Sequence, residues 1–330
     1  MISNIKNKYR LYRNYIKDYQ ETNKYQVRCF NTFIYDMNTY LAKKHTPNHW
    51  LYRFIVNRIG LNKYTKEKLS IFGVNGYRAA IHINKDRFKI FYTVENVHDK
   101  GSYWERYEDL LIPDKSISLS LGFDYIDNPK YLRFPFWLMS VFEPEDNYDQ
   151  IKQKCDQISN PRNIKERDGF CSFICRNDYN GDRNFFLNLI NSIDMVDCPS
   201  TFMHNDNSLL LKHNNNKISY LTNYKFNLCP ENSNYKGYVT EKIFDAICSG
   251  CLPIYWGAEN NPEPDILNHN AIFFLRKDDN SSVLREIEYL YNNPNKYIKF
   301  ASQQRLKKDA PEIIYTYFQQ LETKIIQMTS

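Results

Sequence analysis

Apolar residues open the chain at Ile2, Ile5, Tyr9, Tyr12, Ile16 and Tyr19, alternating steps of three and four that place them on one stripe of a helix. Lys6, Lys8, Arg10, Arg13 and Lys17 make that helix basic. The stripe is expected to dock on its own domain, and a weak contact with a membrane surface is the other use of such a helix. Short β-rich runs follow at 27–35, 69–74, 88–94 and 116–121, separated by helical or loop sequence, which predicts a mostly parallel sheet. The same grammar restarts with a run at 170–175, a helix over 184–193 carrying Phe185, Leu189 and Ile193 on one face, and a strand at 224–229. Between the two series, residues 143–168 are polar and charged, with Pro144 and Pro161, as linkers are. The domain boundary is therefore expected near residue 155, giving domains 1–155 and 156–330. Residues 204–217 read as Asn-rich loop, and 311–328 as an amphipathic closing helix.

Composition narrows the class. With 330 residues, 42% hydrophobic and 25% charged, the chain has enough material for two globular domains. A net charge of +6 favours anionic ligands, yet no arginine-rich block or zinc-finger spacing accompanies it, so nucleic acid is not an expected partner. No run approaches the roughly 18 apolar residues of a membrane span, and the start lacks the apolar centre of a secretory signal. A soluble, cytoplasmic protein is the expectation. The eight cysteines show no metal spacing and read as buried thiols. His45 and His49 flank Pro47, which breaks the single helix face that a metal pair at that spacing requires. No metal site is expected.

Only ten glycines are present, and three of them crowd into residues 237–257. The surrounding sequence, NLCPENSNYKGYVTEKIFDAICSGCLPIYWG, reads strand, loop, helix, turn, strand. Thr240 is placed to cap the helix, Ile243, Phe244 and Ile247 give it an apolar face, Gly250 stops it, and 252–256 is a buried strand. A helix start after a strand and loop suits a diphosphate, Lys242 adds a full charge there, and Glu241 is able to accept sugar hydroxyls. Dipole complementation by Glu241 beside a solvated Lys242 explains the same residues equally well.

ENSNYKGYVTEKIFDA followed by GCLPIYWG closely resembles the signature of the α-1,3-fucosyltransferase family. FYTVEN at 91–96 is similar to the family's FYT-x-EN block, and GFDYIDNPKYLRFP at 122–135 to its GFD and YLRxP stretch. FCSFICRNDYNGDRNFF at 170–186 is similar to the first strand and helix of its donor half. Pro230, standing where the family usually has an aromatic residue, is a departure. The resemblance implies an α/β protein of two Rossmann-like domains facing across a cleft (the GT-B glycosyltransferase fold), acceptor on the first and GDP-fucose on the second. It implies donor binding by Arg183, Asn232, Tyr238, Glu241 and Lys242, with no assignment of acceptor residues.

The implied reaction is an inverting transfer of L-fucose to a hydroxyl of an acceptor glycan, α-1,3 to GlcNAc or glucose. Glu95, at the end of an apolar run, is implied as general base, and Arg183 with Lys242 as the cations that stabilise departing GDP. No cofactor is required on this reading, with Mn²⁺ or Mg²⁺ admitted only as stimulants. The alternatives are transfer of another nucleotide-activated sugar on the same scaffold, or an inactive glycan- or nucleotide-binding relative. The absence of G-x-G-x-x-G and of a Walker A loop argues against a dehydrogenase or a P-loop enzyme.

Overall fold

The structure, a computed structural model, describes residues 2–30, 49–160, 164 and 167–330. The chain divides into two compact units, one of residues 1–147 with 315–330 and one of residues 148–314. The first holds a five-stranded sheet of β1 (Val27–Phe30), β2 (Leu69–Phe72), β3 (Phe88–Tyr92), β4 (Leu119–Gly122) and β5 (Tyr131–Arg133), in that spatial order. Every pairing is parallel, as continuous apolar runs such as LSIF and FKIFY dictate for strands covered on both faces. Phe30, Phe72, Phe91 and Tyr131 pack with Tyr107 and Leu111 in one cluster. Trp50, Phe54, Phe134, Phe142 and Phe318 form a second knot, with ring centroids 5.2–6.4 Å apart. Burying each such ring is worth about 1.5–3 kcal/mol.

The basic N-terminal helix α1 (Ile2–Glu21) docks through its second half, where Tyr15, Ile16 and Tyr19 join the Phe30 and Phe72 cluster. Tyr9 and Tyr12 stay exposed, and Tyr12 makes an edge contact with Tyr77. The last five residues of the strand expected at 27–35 lie outside the described residues, as does His45. His49 caps the short helix Trp50–Arg53, its Nδ1 accepting the N–H of Tyr52 at 3.4 Å. Complete burial pushes its pKa down to about 3, as suits a neutral packing residue.

The second unit holds β6 (Gly169–Ser172), β7 (Val196–Asp197), β8 (Tyr224–Pro230), β9 (Leu252–Trp256) and β10 (Phe273–Phe274). Their spatial order is β10-β9-β8-β6-β7, again all parallel. The order reverses between β6 and β8. Right-handed crossovers then run to opposite faces of the sheet, and the loops leaving these two strands diverge to leave a crevice. Behind it, α2 (Tyr148–Ser159) packs on α5, and three helices line the crevice itself: α3 (Asp182–Asn191), α4 (Lys217–Leu221) and α5 (Glu241–Ser249).

Two sequence expectations change here. The boundary near 155 falls inside α2: residues 148–159 are polar on average, but Ile151, Cys155 and Ile158 recur at helical spacing and are buried, so the segment folds with the second unit. The closing helix α6 (Ala310–Thr329) begins in the second unit, and from Tyr315 onward belongs to the first, where Phe318 enters the Trp50 knot. An amphipathic pattern predicts that a helix packs, not which core it packs on. All eight cysteines are free thiols and seven are buried, as expected. No described helix is long and apolar enough to cross a membrane.

Candidate donor site

The loops leaving β6 and β8 carry the candidate site. After β6 the chain turns through Asn177–Gly181 into α3, with Gly181 in the left-handed conformation (φ 81°) at the helix start. Asp178 accepts the backbone N–H of Gly181 at 3.1 Å and of Asn184 at 2.9 Å, so it takes up donors of the first turn of α3. That holds Arg183 in the crevice, 8% exposed. Its guanidinium donates to the carbonyl of Asn177 and to Oδ1 of Asn232. Arg183 therefore ties the β6 loop to the β8 loop, and Asn180 adds a bond to the Asn232 carbonyl at 3.4 Å. The Arg183 Nε is buried with no partner among the described residues, a donor held in reserve.

Helix α5 supplies the other half. Its bounds match the sequence expectation: Thr240 is the residue before the first turn and Gly250 (φ 81°) the left-handed stop. Thr240 does not cap with its side chain, however. Its hydroxyl donates to Oε2 of Glu231 at 2.7 Å and accepts from Nζ of Lys242 at 2.9 Å, which takes it away from the helix N–H groups. Glu231, fully buried, also accepts the N–H of Thr240 at 2.8 Å and Lys242 Nζ at 3.0 Å.

Glu241 lies 3.8 Å from Nζ of Lys217, which also pairs with Asp245 at 3.1 Å. Burial alone would raise the Glu241 pKa; Lys242 and Lys217 outweigh it and hold it down to about 2, so the carboxylate stays an acceptor at any physiological pH. The Lys242 pKa is raised: burial opposes its charge, and Glu231 with Glu241 more than restores it. The cluster thus sets Arg183, Lys217 and Lys242 against Glu231, Glu241 and Asp245. An anion entering here meets donors most of which are already paired, so its net gain is a difference of interactions.

Of the donor residues expected from sequence, Arg183, Asn232, Glu241 and Lys242 come together at this crevice. Tyr238 is 1% exposed, so its ring presents almost no face for stacking. Lys217 ends the stretch expected as loop; it instead opens α4, capped by Oδ1 of Asn216, and the Asn-rich stretch before it holds a short helix, Ser208–Leu211. Glu231 and Asp245 were likewise not singled out. Glu231 stood in the quoted ENS block, so its signal was present. No cluster able to hold a metal ion occurs among the described residues.

Glu95 belongs to the first unit, in the loop just beyond β3. Its N–H donates to Oγ1 of Thr93 at 3.1 Å, and the Thr93 hydroxyl donates to the Glu95 carbonyl at 2.8 Å, fixing a tight turn. Three residues on, His98 bridges two carboxylates, Nδ1 to Glu108 at 2.8 Å and Nε2 to Asp124 at 2.7 Å.

Residues 165–319 match the model of the C-terminal part of glycosyltransferase family 10 (fucosyltransferase), and residues 34–140 match the N-terminal domain model of alpha-(1,3)-fucosyltransferase FucT. Over 240 residues the chain is 28% identical to the alpha-(1,3)-fucosyltransferase FucT of Helicobacter pylori, a match covering 64% of this chain and 45% of that protein. The chain thus spans under half the length of this relative. Two crystal structures of alpha1,3-fucosyltransferase share its fold. One is 21% identical with a TM-score of 0.55, covering 92% of each chain. The other, solved with GDP, is 22% identical with a TM-score of 0.54, covering 90% of this chain and 89% of that one.

Proposed function

The chain belongs to glycosyltransferase family 10, the fucosyltransferase family, and from that premise we propose that it transfers L-fucose from GDP-fucose to a hydroxyl of an acceptor glycan with inversion. The observation that carries this reading is the convergence of Arg183, Asn232, Glu241 and Lys242 at the reversal of strand order, where an open α/β sheet binds its ligand. Arg183 and Lys242 meet the diphosphate, one as a fork and the other as a point charge, and Glu241 accepts sugar hydroxyls. Glu95 takes the proton of the acceptor hydroxyl as its oxygen bonds to the anomeric carbon. The bond from that carbon to the diphosphate breaks, and GDP leaves with the developing charge held by the two cations. A position α-1,3 to GlcNAc or glucose is the acceptor linkage proposed.

The donor assignment is tested by thermal shift and nucleotide release with a panel of nucleotides and nucleotide sugars. GDP and GDP-fucose should raise the melting temperature as ligand binding to the folded state requires, and UDP-sugars should not. Equal stabilisation by UDP-glucose would favour transfer of a different sugar. Because two side-chain cations carry the diphosphate charge in this proposal, activity in excess EDTA should stay within a few-fold of the untreated enzyme. Complete loss, reversed by added Mn²⁺, would overturn the cation-pair assignment.

A further inference from the structure

Glu231 is the buried carboxylate at the centre of the donor crevice. One oxygen accepts the N–H of Thr240 at 2.8 Å; the other accepts the Thr240 hydroxyl at 2.7 Å and Lys242 Nζ at 3.0 Å. Its room is provided by one glycine. A Cβ on Gly257 would lie 2.7 Å from Cγ and 2.9 Å from Cβ of Glu231, and the backbone there (φ 139°) is one that side-chain-bearing residues rarely adopt. Gly257 follows β9 and Glu231 follows β8, strands paired up to Pro230 and Trp256, and the N–H of Glu231 donates to the Trp256 carbonyl at 2.9 Å. The carboxylate is thus set by sheet register and by an absent side chain, both independent of any ligand.

Building on the donor reading above, we propose that Glu231 is a positioning residue that holds the ammonium of Lys242 for the nucleotide diphosphate, and that Gly257 is there to admit it. Glu231 and Thr240 engage two of the three ammonium donors, which aims the third. The charge on Lys242 depends on the same carboxylate. Burial works against that charge; Glu231 and Glu241 restore it, and Arg183 from α3 opposes it. Lys217 of α4, Asp245 of α5, the thiols of Cys175 and Cys229 and the hydroxyl of Tyr255 are the other titratable groups facing this carboxylate and ammonium. With a neutral amide at 231 the hydrogen-bonded one of those two carboxylates is lost, and Lys242 gives up its proton at a lower pH.

The test is calorimetric GDP affinity of the full chain from pH 7 to 10 in four proteins: wild type, Glu231→Gln, Lys242→Arg and the double variant. The titrations of GDP are common to all four. Glu231→Gln should lose at least about tenfold more affinity than wild type across this range, as neutralising a buried lysine would produce. The excess loss should vanish in the double variant, because a guanidinium keeps its charge throughout. An affinity profile of Glu231→Gln that superimposes on wild type, or an excess loss that survives in the arginine background, overturns the positioning role. If Glu231→Gln fails to fold, Gly257→Ala keeps every charge while crowding the carboxylate. It should lose affinity in the same direction, and an unchanged profile in a folded Gly257→Ala protein likewise overturns the proposal. Failure of wild type to bind GDP at pH 7 would instead remove the donor reading on which the positioning role rests.

Discussion

The two units are built from the same part, a five-stranded parallel sheet, and differ in how its strands are ordered. In the first the strands follow one another, β1 to β5, and no reversal occurs among the described residues; in the second the order turns back between β6 and β8. A reversal makes a crevice out of topology alone, because neighbouring crossovers leave on opposite faces. The charged cluster of the second unit occupies that crevice and is fastened at both lips by Arg183 and Glu231. The described residues of the first unit show no such device, and Glu95 rides on a short turn after β3. On the proposed reading, donor recognition is carried by the fold itself and acceptor recognition by loops.

The largest expected effect tests this division directly. Glu95→Gln preserves size and hydrogen bonding but cannot accept the proton, so turnover should fall about 10²–10⁴-fold, the usual worth of a general base. GDP affinity should stay at the wild-type value, because the donor cluster lies wholly in the second unit. Initial rates with a β-galactoside acceptor series and calorimetry with GDP measure the two quantities. Full turnover in this variant would remove Glu95 from the mechanism, and weakened GDP binding would break the division of labour.

The next effect is structural and belongs to the first unit. Arg28, fully buried in β1, forms a bidentate pair with Asp86 and is stacked 4.2 Å over the ring of Tyr19 of α1. Ser70 donates its hydroxyl to the same carboxylate, and Oδ1 of Asn84 accepts the backbone N–H of Asp86 at 2.8 Å. Arg28→Ala leaves a buried charge without its counterion, which costs about 3–5 kcal/mol. Urea unfolding should show that loss, with GDP affinity unchanged well below the transition.

A smaller effect is expected in the second unit. Lys242→Ala removes one charge-assisted contact and should weaken GDP by about 1.5–3 kcal/mol, roughly 10- to 100-fold. Calorimetry at neutral pH reads it, and a loss below twofold would mean that Arg183 alone carries the diphosphate.

These residues also mark what was legible in the sequence. Helix α5 was placed to the residue because its signals, Thr240 before it and Gly250 after it, are local. The strands β5, β7 and β10 escaped because two or three residues carry no measurable period. Arg183 and Asn232 were found through motif resemblance, Glu241 and Lys242 also through their place at a helix start, and the structure brings all four together. Lys217, Glu231 and Asp245 were not, since their roles exist only once α4, α5 and the end of β8 meet. Thr240 shows the limit most clearly: its position at the helix start was correct, while its hydroxyl was claimed by a carboxylate nine residues earlier.

The smallest expected effect concerns pH, and it assigns a titration to the acceptor side. His98 is partly desolvated, which works against its charged form, but Asp124 and Glu108 on its two ring nitrogens outweigh burial and raise its pKa. A group whose folded pKa is raised stabilises the native state fully below its unfolded value, about 6.5 for histidine, and loses that contribution as pH climbs through the folded value. The first unit should therefore lose stability on going from about pH 6 to pH 8, by an amount on the order of 1 kcal/mol for a pair of this kind. His98→Asn should be less stable than wild type at pH 6 and converge toward it at pH 8. Urea midpoints measured across that interval for both proteins decide the matter. GDP affinity over the same interval should show no difference between them, because every charged group of the donor cluster lies in the other unit. Parallel stability curves would remove His98 as the titrating group, and a GDP affinity that followed His98 would add His98 to the groups on which donor binding depends.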